Sequence, residues 1–290
     1  MPSVAIVGIG RLGGAIALAL AHHGYNIVDL VHRRPESDRR VAELIPTARP
    51  STISDKAPID ADIIILTTPD PEIVNAAETM ASRVRTDAIV MHTSGSLSSE
   101  ILANLENPTA SLHPLVSISD PVLGSEKFAD AFFCIEGEKT AVTEAQRIAA
   151  ALGGRPFSID TSLKPLYHAS AVMASGHFTA LEDMAIEMLA MCGLQKEEAK
   201  RVLLPLIRSS LENLAGQPTE KALTGTFARA DIEAFERHLA AFEDRVPRNI
   251  RETYLLLAAR SLDLAEKAGA SDERIAELRE RIYIAKGKSE

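Results

Sequence analysis

Gly8, Gly10 and Gly13 stand in the spacing Gly-x-Gly-x-x-Gly between an apolar run, Val4 to Val7, and a helix-like segment, Ala15 to Ala21. In that setting each glycine has a separate job: Gly8 makes the tight turn, Gly10 lets the backbone approach a pyrophosphate, and Gly13 allows the helix to pack on the strand. The free N–H groups of the helix start, around Arg11 and Leu12, then face the phosphates. The next strand, Asn26 to Val31, decides which dinucleotide this would be. An NAD site carries an acid at its end, about 20 residues beyond the glycines. This chain has His32, Arg33 and Arg34 there, with Ser37 and Arg39 behind them. Planar guanidiniums pair with phosphate in a charge-assisted way, so the expected cofactor is NADP(H) rather than NAD(H). Asp29 lies inside the strand, too early to reach the ribose. Read without a ligand, the same arginines are a solvated basic loop.

A second group of residues has the types needed for proton transfer. Lys164 precedes Pro165, a residue tolerated in a first helical turn, and Thr161 or Ser162 can cap the free N–H groups. A cation in that turn opposes the helix dipole, which draws a lysine towards proton-transfer chemistry. His168, four residues on, shares its face. Thr67, Thr68 and Pro69 end one predicted strand, Ser94 and Gly95 the next, and His113 with Pro114 the third. In an open α/β sheet ligands gather at such carboxyl ends. The expected assignment is therefore Lys164, His168 and His113 as catalytic groups, Thr67 to Pro69 beside the nicotinamide, and Ser94 and Gly95 at the substrate. Each also has an ordinary reading: a snorkelling lysine, a tucked-in histidine, a capping serine, a strand-stopping proline.

The elements that must position these residues follow from the pattern. Strands alternate with helices up to about Ile159: Ala61 to Thr67, Ala88 to Met91, Ala110 to Leu112, Ala131 to Ile135 and Pro156 to Ile159, with helices over Glu72 to Val84, Ser98 to Leu105 and Thr140 to Leu152. That alternation means an α/β fold, a doubly wound, mostly parallel sheet. From Thr161 onward only helical periodicity remains. Lys164 to Cys192 reads as one long helix, apolar nearly all round, followed by Glu197 to Leu214, Asp231 to Arg245, Pro247 to Ala268 and Asp272 to Ala285. The 290 residues thus divide into an NADP-binding domain over 1–160 and a helical substrate and dimerisation domain over 161–290. A helix with more apolar faces than its own domain can cover predicts a homodimer.

Composition excludes several classes. A net charge of -9 opposes nucleic-acid binding, and the absence of Trp removes stacking platforms for bases. Two cysteines, Cys134 and Cys192, make neither a disulfide framework nor a metal spacing, and no His, Asp or Glu cluster has ligand spacing; no metal is expected. That cysteine usage, an N-terminus that starts on a core strand and the lack of a long apolar run lead us to expect a cytoplasmic protein away from membranes, acting on a small molecule.

Several motifs together, Gly8 to Gly13, His92-Thr93-Ser94-Gly95, Leu112 to Leu115, Phe133 to Gly137, Lys164 with Tyr167 to Val172, and Ala222 to Gly225 with Ala228-Arg229, resemble a bacterial family. Its members join a Rossmann-like domain to a C-terminal helical domain of unknown function and carry an NADP-oxidoreductase label. The family sits in the 6-phosphogluconate dehydrogenase-like superfamily, beside β-hydroxyacid dehydrogenases, ketopantoate reductase, pyrroline-5-carboxylate reductase and prephenate dehydrogenase. The resemblance implies an NADP fold and a dimer, with no substrate. Lys164 matches the catalytic lysine of β-hydroxyacid dehydrogenases, but His168 stands where those enzymes have Asn. His113-Pro114 resembles the His-Pro of prephenate dehydrogenases. Thr226 and Ala230 replace an expected Pro and Gly. The resulting expectation is a hydride-transferring oxidoreductase acting on a small carbonyl, hydroxy-acid or imino substrate. The alternatives are a non-catalytic NADP-binding sensor and, disfavoured by the paired arginines, a deazaflavin enzyme.

Overall fold

A computed structural model describes residues 1–33, 40–243 and 245–287 and divides into two compact units, Met1–Gly176 and His177–Glu290. In the first, eight strands form one sheet: β1 (Ser3–Val7), β2 (Asn26–His32), β3 (Arg49–Thr52), β4 (Ile63–Leu66), β5 (Ile89–His92), β6 (Thr109–Pro114), β7 (Phe132–Gly137) and β8 (Arg155–Phe157), in the order β3-β2-β1-β4-β5-β6-β7-β8. All neighbours are parallel except β6 and β7. The sheet is covered on both faces, which is why its central strands are apolar without alternation. Val4 and Ile6 enter one core, with α1 (Arg11–His22) and α5 (Lys139–Ala151), while Ala5 and Val7 enter the other with α3 (Ile73–Met80). Short helices α2 (Arg40–Leu44) and α4 (Pro121–Gly124) complete the layers, together with the start of a long helical run, α6 (Lys164–Val172).

The α/β class and the order of elements are as expected, with three differences. The segment after Ser98 is a single 3₁₀ turn, Ser99–Leu102, rather than a helix to Leu105, because the Ser99 N–H and hydroxyl are both taken by the Glu136 carboxylate. The short strand β3 and the helices α2 and α4 had no pattern long enough to read. The change of unit falls after Gly176 instead of Asp160: Lys164 is fully buried against β6 and β7, which binds α6 to the sheet.

The run that begins at Lys164 continues through a π-helical turn, Met173–His177, into α7 (Phe178–Met191). The second unit contains α7, α8 (Lys196–Gly216), α9 (Thr219–Ala222), α10 (Ile232–Phe242), α11 (Arg248–Lys267) and α12 (Asp272–Gly287). Its core joins Phe235, Leu255, Leu262, Leu278 and Ile282 from the last three helices. Ala230, where glycine was expected, has φ 47°, a left-handed conformation that glycine adopts freely; the following Asp231 caps α10 through the Ala234 N–H. No described helix is long and apolar enough to cross a membrane.

Candidate active site

The glycine loop opens on the carboxyl side of the sheet, where β1 lies between β2 and β4 and the chain direction of winding reverses. Gly8 N–H donates to the Val31 carbonyl at 2.9 Å, and the Thr67 hydroxyl reaches the Gly8 carbonyl at 2.6 Å. These bonds lock the turn to its neighbours. A Cβ on Gly8 would lie 2.9 Å from Thr68 N, and one on Gly13 only 2.3 Å from Gly8 O, so both positions are sterically closed to a side chain. Gly10 differs: a Cβ there would have no atom within 4 Å. It faces the open cleft and, as the N-cap of α1, offers no side chain to cap the helix start that follows it.

That cleft, of about 480 Å³, is lined by Gly8, Gly10, Leu12, Arg33, Thr67, Thr68, Pro69, Asp70, Thr93 and Ser94. An adjoining hollow of about 190 Å³ between Val31, His32, Arg33, Thr68, Glu72 and Asn75 extends it. The residues fit a dinucleotide: N–H groups at one helix start whose N-cap, Gly10, has no side chain, open space at Gly10, and a buried Thr68 hydroxyl with no partner among the described residues. Arg11 is exposed and borders a separate hollow with Arg40 and Asp120. Arg33 stands at the expected strand end, paired with Glu72, an acid that sequence reasoning did not assign. His32 is buried, and burial holds its imidazole below the usual range. Asp29 is consumed by Arg49 and Ser51 of β3, as its place within the strand required. Arg34 and Ser37 lie outside the described residues.

A second cavity, about 560 Å³, is lined by His113, Pro114, Leu115, Val116, Ser117, His168 and Ala171 to Gly176, excluding Met173. Gly95 stands against both histidines: its Cβ would come within 2.6 Å of His168 Cδ2 and 2.8 Å of His113 Nε2. Ser94, next to it, borders the dinucleotide cleft. Its hydroxyl donates to Asp70 at 2.8 Å and accepts from Leu97 N–H at 3.0 Å, so it braces the loop. Asp70 also accepts from Ser96 at 2.7 Å. His92, beneath the loop, donates from Nε2 to the Ser98 carbonyl and accepts the Ser94 N–H at Nδ1; burial lowers its pKa to about 4, in keeping with a neutral ring.

Strand register explains the rest. In the antiparallel ladder Ser111 faces Glu136 and His113 faces Cys134, so all four side chains lie on one side of the sheet. Helix α6 covers that side, and its i, i+3 and i+4 positions match the two-residue step of the strands. Lys164 meets the first pair: Nζ donates to Ser111 Oγ at 2.6 Å and to Glu136 Oε1 at 3.0 Å. Tyr167 and His168 meet the second. Tyr167 Oη is 2.7 Å from His113 Nδ1, and the rings of His113 and His168 are 6.0 Å apart. Burial, then the neighbouring His168 and Lys164, lower the His113 pKa to about 4.

Lys164, the expected proton donor, therefore lines neither cavity. Its ammonium is enclosed and ion-paired, while His113 and His168 reach open space together. Glu136 and Tyr167 are the contact partners of Lys164 and His113 that sequence reasoning missed. An acid in the apolar strand Phe-Phe-Cys-Ile-Glu was a signal, since a buried carboxylate requires a partner. Among the described residues no cluster suited to a metal ion occurs.

Fold and cleft together define a Rossmann-like, doubly wound architecture with an open cleft at the carboxyl ends of its strands. Residues 2–115 match the Rossmann-like domain, and residues 131–261 match the domain of unknown function DUF2520. The chain thus has the two-domain make-up of the bacterial family that its motifs resemble. It is 22% identical to a Bacteroides fragilis structure described as a candidate NADP oxidoreductase, with a TM-score of 0.75, covering 90% of this chain and 98% of that one. The pyrroline carboxylate reductase of Plasmodium falciparum, solved with NADP bound, is 15% identical with a TM-score of 0.59, covering 92% of this chain and 96% of that one. A glycerol-3-phosphate dehydrogenase [NAD(P)+] of Halalkalibacterium halodurans is 30% identical over 105 residues. That match spans 32% of this chain and 30% of the dehydrogenase.

Proposed function

We propose that the protein is an NADP(H)-dependent oxidoreductase acting on a small carbonyl, hydroxy-acid or imino compound, working as a homodimer. The observation that carries the reading is the adjacency of two cavities: one lined by the glycine loop and reaching Thr93 and Ser94, the other lined by His113 and His168, with Gly95 between them. A bound cofactor would supply the hydride. Gly8 to Gly13 hold its phosphates, Thr67 to Pro69 flank its nicotinamide half, and Arg33 pairs with a 2′-phosphate, releasing Glu72.

His113 and His168 serve the substrate oxygen or nitrogen. His113, mostly buried and neutral at physiological pH, holds and polarises that atom. His168, half-exposed in the same cavity, exchanges the proton. Lys164 fixes the wall behind them. The proposed dimer forms through α7 and α8: no residue of α7 and only Ala199 of α8 is buried, although α7 is rich in methionine and alanine and α8 in leucine.

NADPH oxidation across a panel of 2-oxo, 3-oxo and imino acids tests the activity. The expected result is turnover with at least one member, lowered about 10² to 10³-fold by His113→Ala with NADPH affinity unchanged. Tight NADPH binding with no turnover anywhere on the panel would favour the non-catalytic sensor. Equal affinity for NADH and NADPH by calorimetry would overturn the role given to Arg33.

A further inference from the structure

We infer that Tyr167 fixes His113 as its Nε2–H tautomer, so that the second cavity presents a neutral hydrogen-bond donor and takes a substrate with an acceptor atom, a carbonyl oxygen, at that point. The inference deepens the proposed function and rests on it only for the substrate class.

Three groups meet in a row. His113 on β6 and Cys134 on β7 are direct cross-strand partners, and Phe157 on β8 is in turn the partner of Cys134. Tyr167 lies across this row, its ring edge-on to His113 at 5.6 Å and to Phe157 at 5.9 Å. Its hydroxyl is 2.7 Å from His113 Nδ1 and interacts electrostatically with the Cys134 thiol. The hydroxyl has one proton to give and two neighbours to satisfy. A phenol is a stronger donor than a thiol, and an imidazole nitrogen a stronger acceptor than sulfur. The stronger pairing sends the phenol proton to Nδ1. Burial raises the pKa of both the tyrosine and the cysteine, so neither proton is lost at physiological pH.

With Nδ1 occupied as an acceptor, the ring proton of neutral His113 resides on Nε2. That nitrogen lies on the side of the ring that faces Gly95, the residue between the two cavities. A carbonyl oxygen accepts from Nε2–H, and the bond strengthens as hydride addition places negative charge on that oxygen. A protonated imine offers a donor instead, and two donors oppose each other there. The tautomer therefore separates two substrate classes that the fold alone leaves together.

The test is a long-range ¹⁵N–¹H correlation spectrum of the intact protein at neutral pH, which reports the protonation of each ring nitrogen without a substrate. The expected result is an Nε2–H tautomer for His113 in the wild type. Tyr167→Phe should shift the Nδ1 resonance as its hydrogen bond is lost, whereas Cys134→Ala should leave the Nε2–H tautomer in place. A wild-type Nδ1–H tautomer overturns the inference even if Tyr167→Phe does not fold, and so does an Nδ1 resonance unmoved in a folded Tyr167→Phe. In the activity panel the oxo acids should turn over at least tenfold faster than a cyclic imine, with Tyr167→Phe lowering kcat several-fold, the equivalent of one ordinary hydrogen bond. Preference for the imine overturns the substrate class. An Nε2–H tautomer in a protein that oxidises no NADPH leaves the tautomer assignment standing and removes the reductase reading.

Discussion

Lys164, expected as the proton donor, is held inside the wall behind His113 by two buried partners. Its side chain is 0% exposed, and its ammonium is enclosed by Ser111 Oγ and Glu136 Oε1. Glu136 meanwhile accepts both the N–H and the hydroxyl of Ser99. The ion pair thus ties α6, β6, β7 and the turn after Ser98 into one rigid wall behind His113. Removing one member of such a pair leaves an uncompensated charge in a dry interior, whereas replacing both with apolar groups removes the problem. Lys164→Met should therefore cost about 3 to 5 kcal/mol of stability. Combined with Glu136→Leu it should recover most of that loss. Urea unfolding of the two single variants and the double variant measures the coupling, and a Lys164→Met protein as stable as the wild type would show that the pair does not hold the wall. The nearby polar residues Ser94, Asp70 and His92 are bracing groups of the same kind, each with its hydrogen bonds directed within the loop.

At the scale of elements, the glycine loop was legible because all its parts are contiguous: a strand, a turn and a helix within the first 22 residues. The wall of the second cavity was not, because it depends on a register. His113 meets Cys134, and Ser111 meets Glu136, only because β7 runs antiparallel to β6, and no local pattern states the direction of a strand. Lys164 and His168 were correctly placed on one helix face, yet one closes on a carboxylate while the other reaches the cavity. The glycines allow a test of the loop. Gly10→Ala meets no atom and should fold with stability close to the wild type, while its methyl would occupy the space of the proposed pyrophosphate site and should weaken NADPH binding at least tenfold. Gly13→Ala should lose stability as well, since its methyl would overlap Gly8 O and Thr67 Oγ1. Thermal unfolding with and without NADPH distinguishes the two. Unchanged NADPH affinity in Gly10→Ala would place the phosphates elsewhere.

At the scale of the whole molecule, the two units bury apolar surface to very different degrees. The sheet of Met1–Gly176 is covered on both faces, and α10 to α12 of His177–Glu290 share a closed core. Helices α7 and α8 pack on each other but leave Met191, Val202, Leu206, Leu211 and Leu214 between 43% and 62% exposed. Apolar side chains presented over two long neighbouring helices make an extended surface of the kind that marks an interaction site. A second copy of the same chain, docking its own α7 and α8 about a two-fold axis, covers both surfaces at once, because an isologous interface needs only one self-complementary patch. The proposed dimer should persist at micromolar concentration in light scattering. Leu206→Glu with Leu214→Glu would bring four carboxylates into the interface of each dimer and should yield monomers, while the fold of the first unit and its NADPH site remain intact. A wild-type protein that is monomeric under those conditions would overturn the dimer, and a double variant that stays dimeric would move the interface to another face. Burial of a carboxylate without a partner is costly enough for this contrast to be decisive.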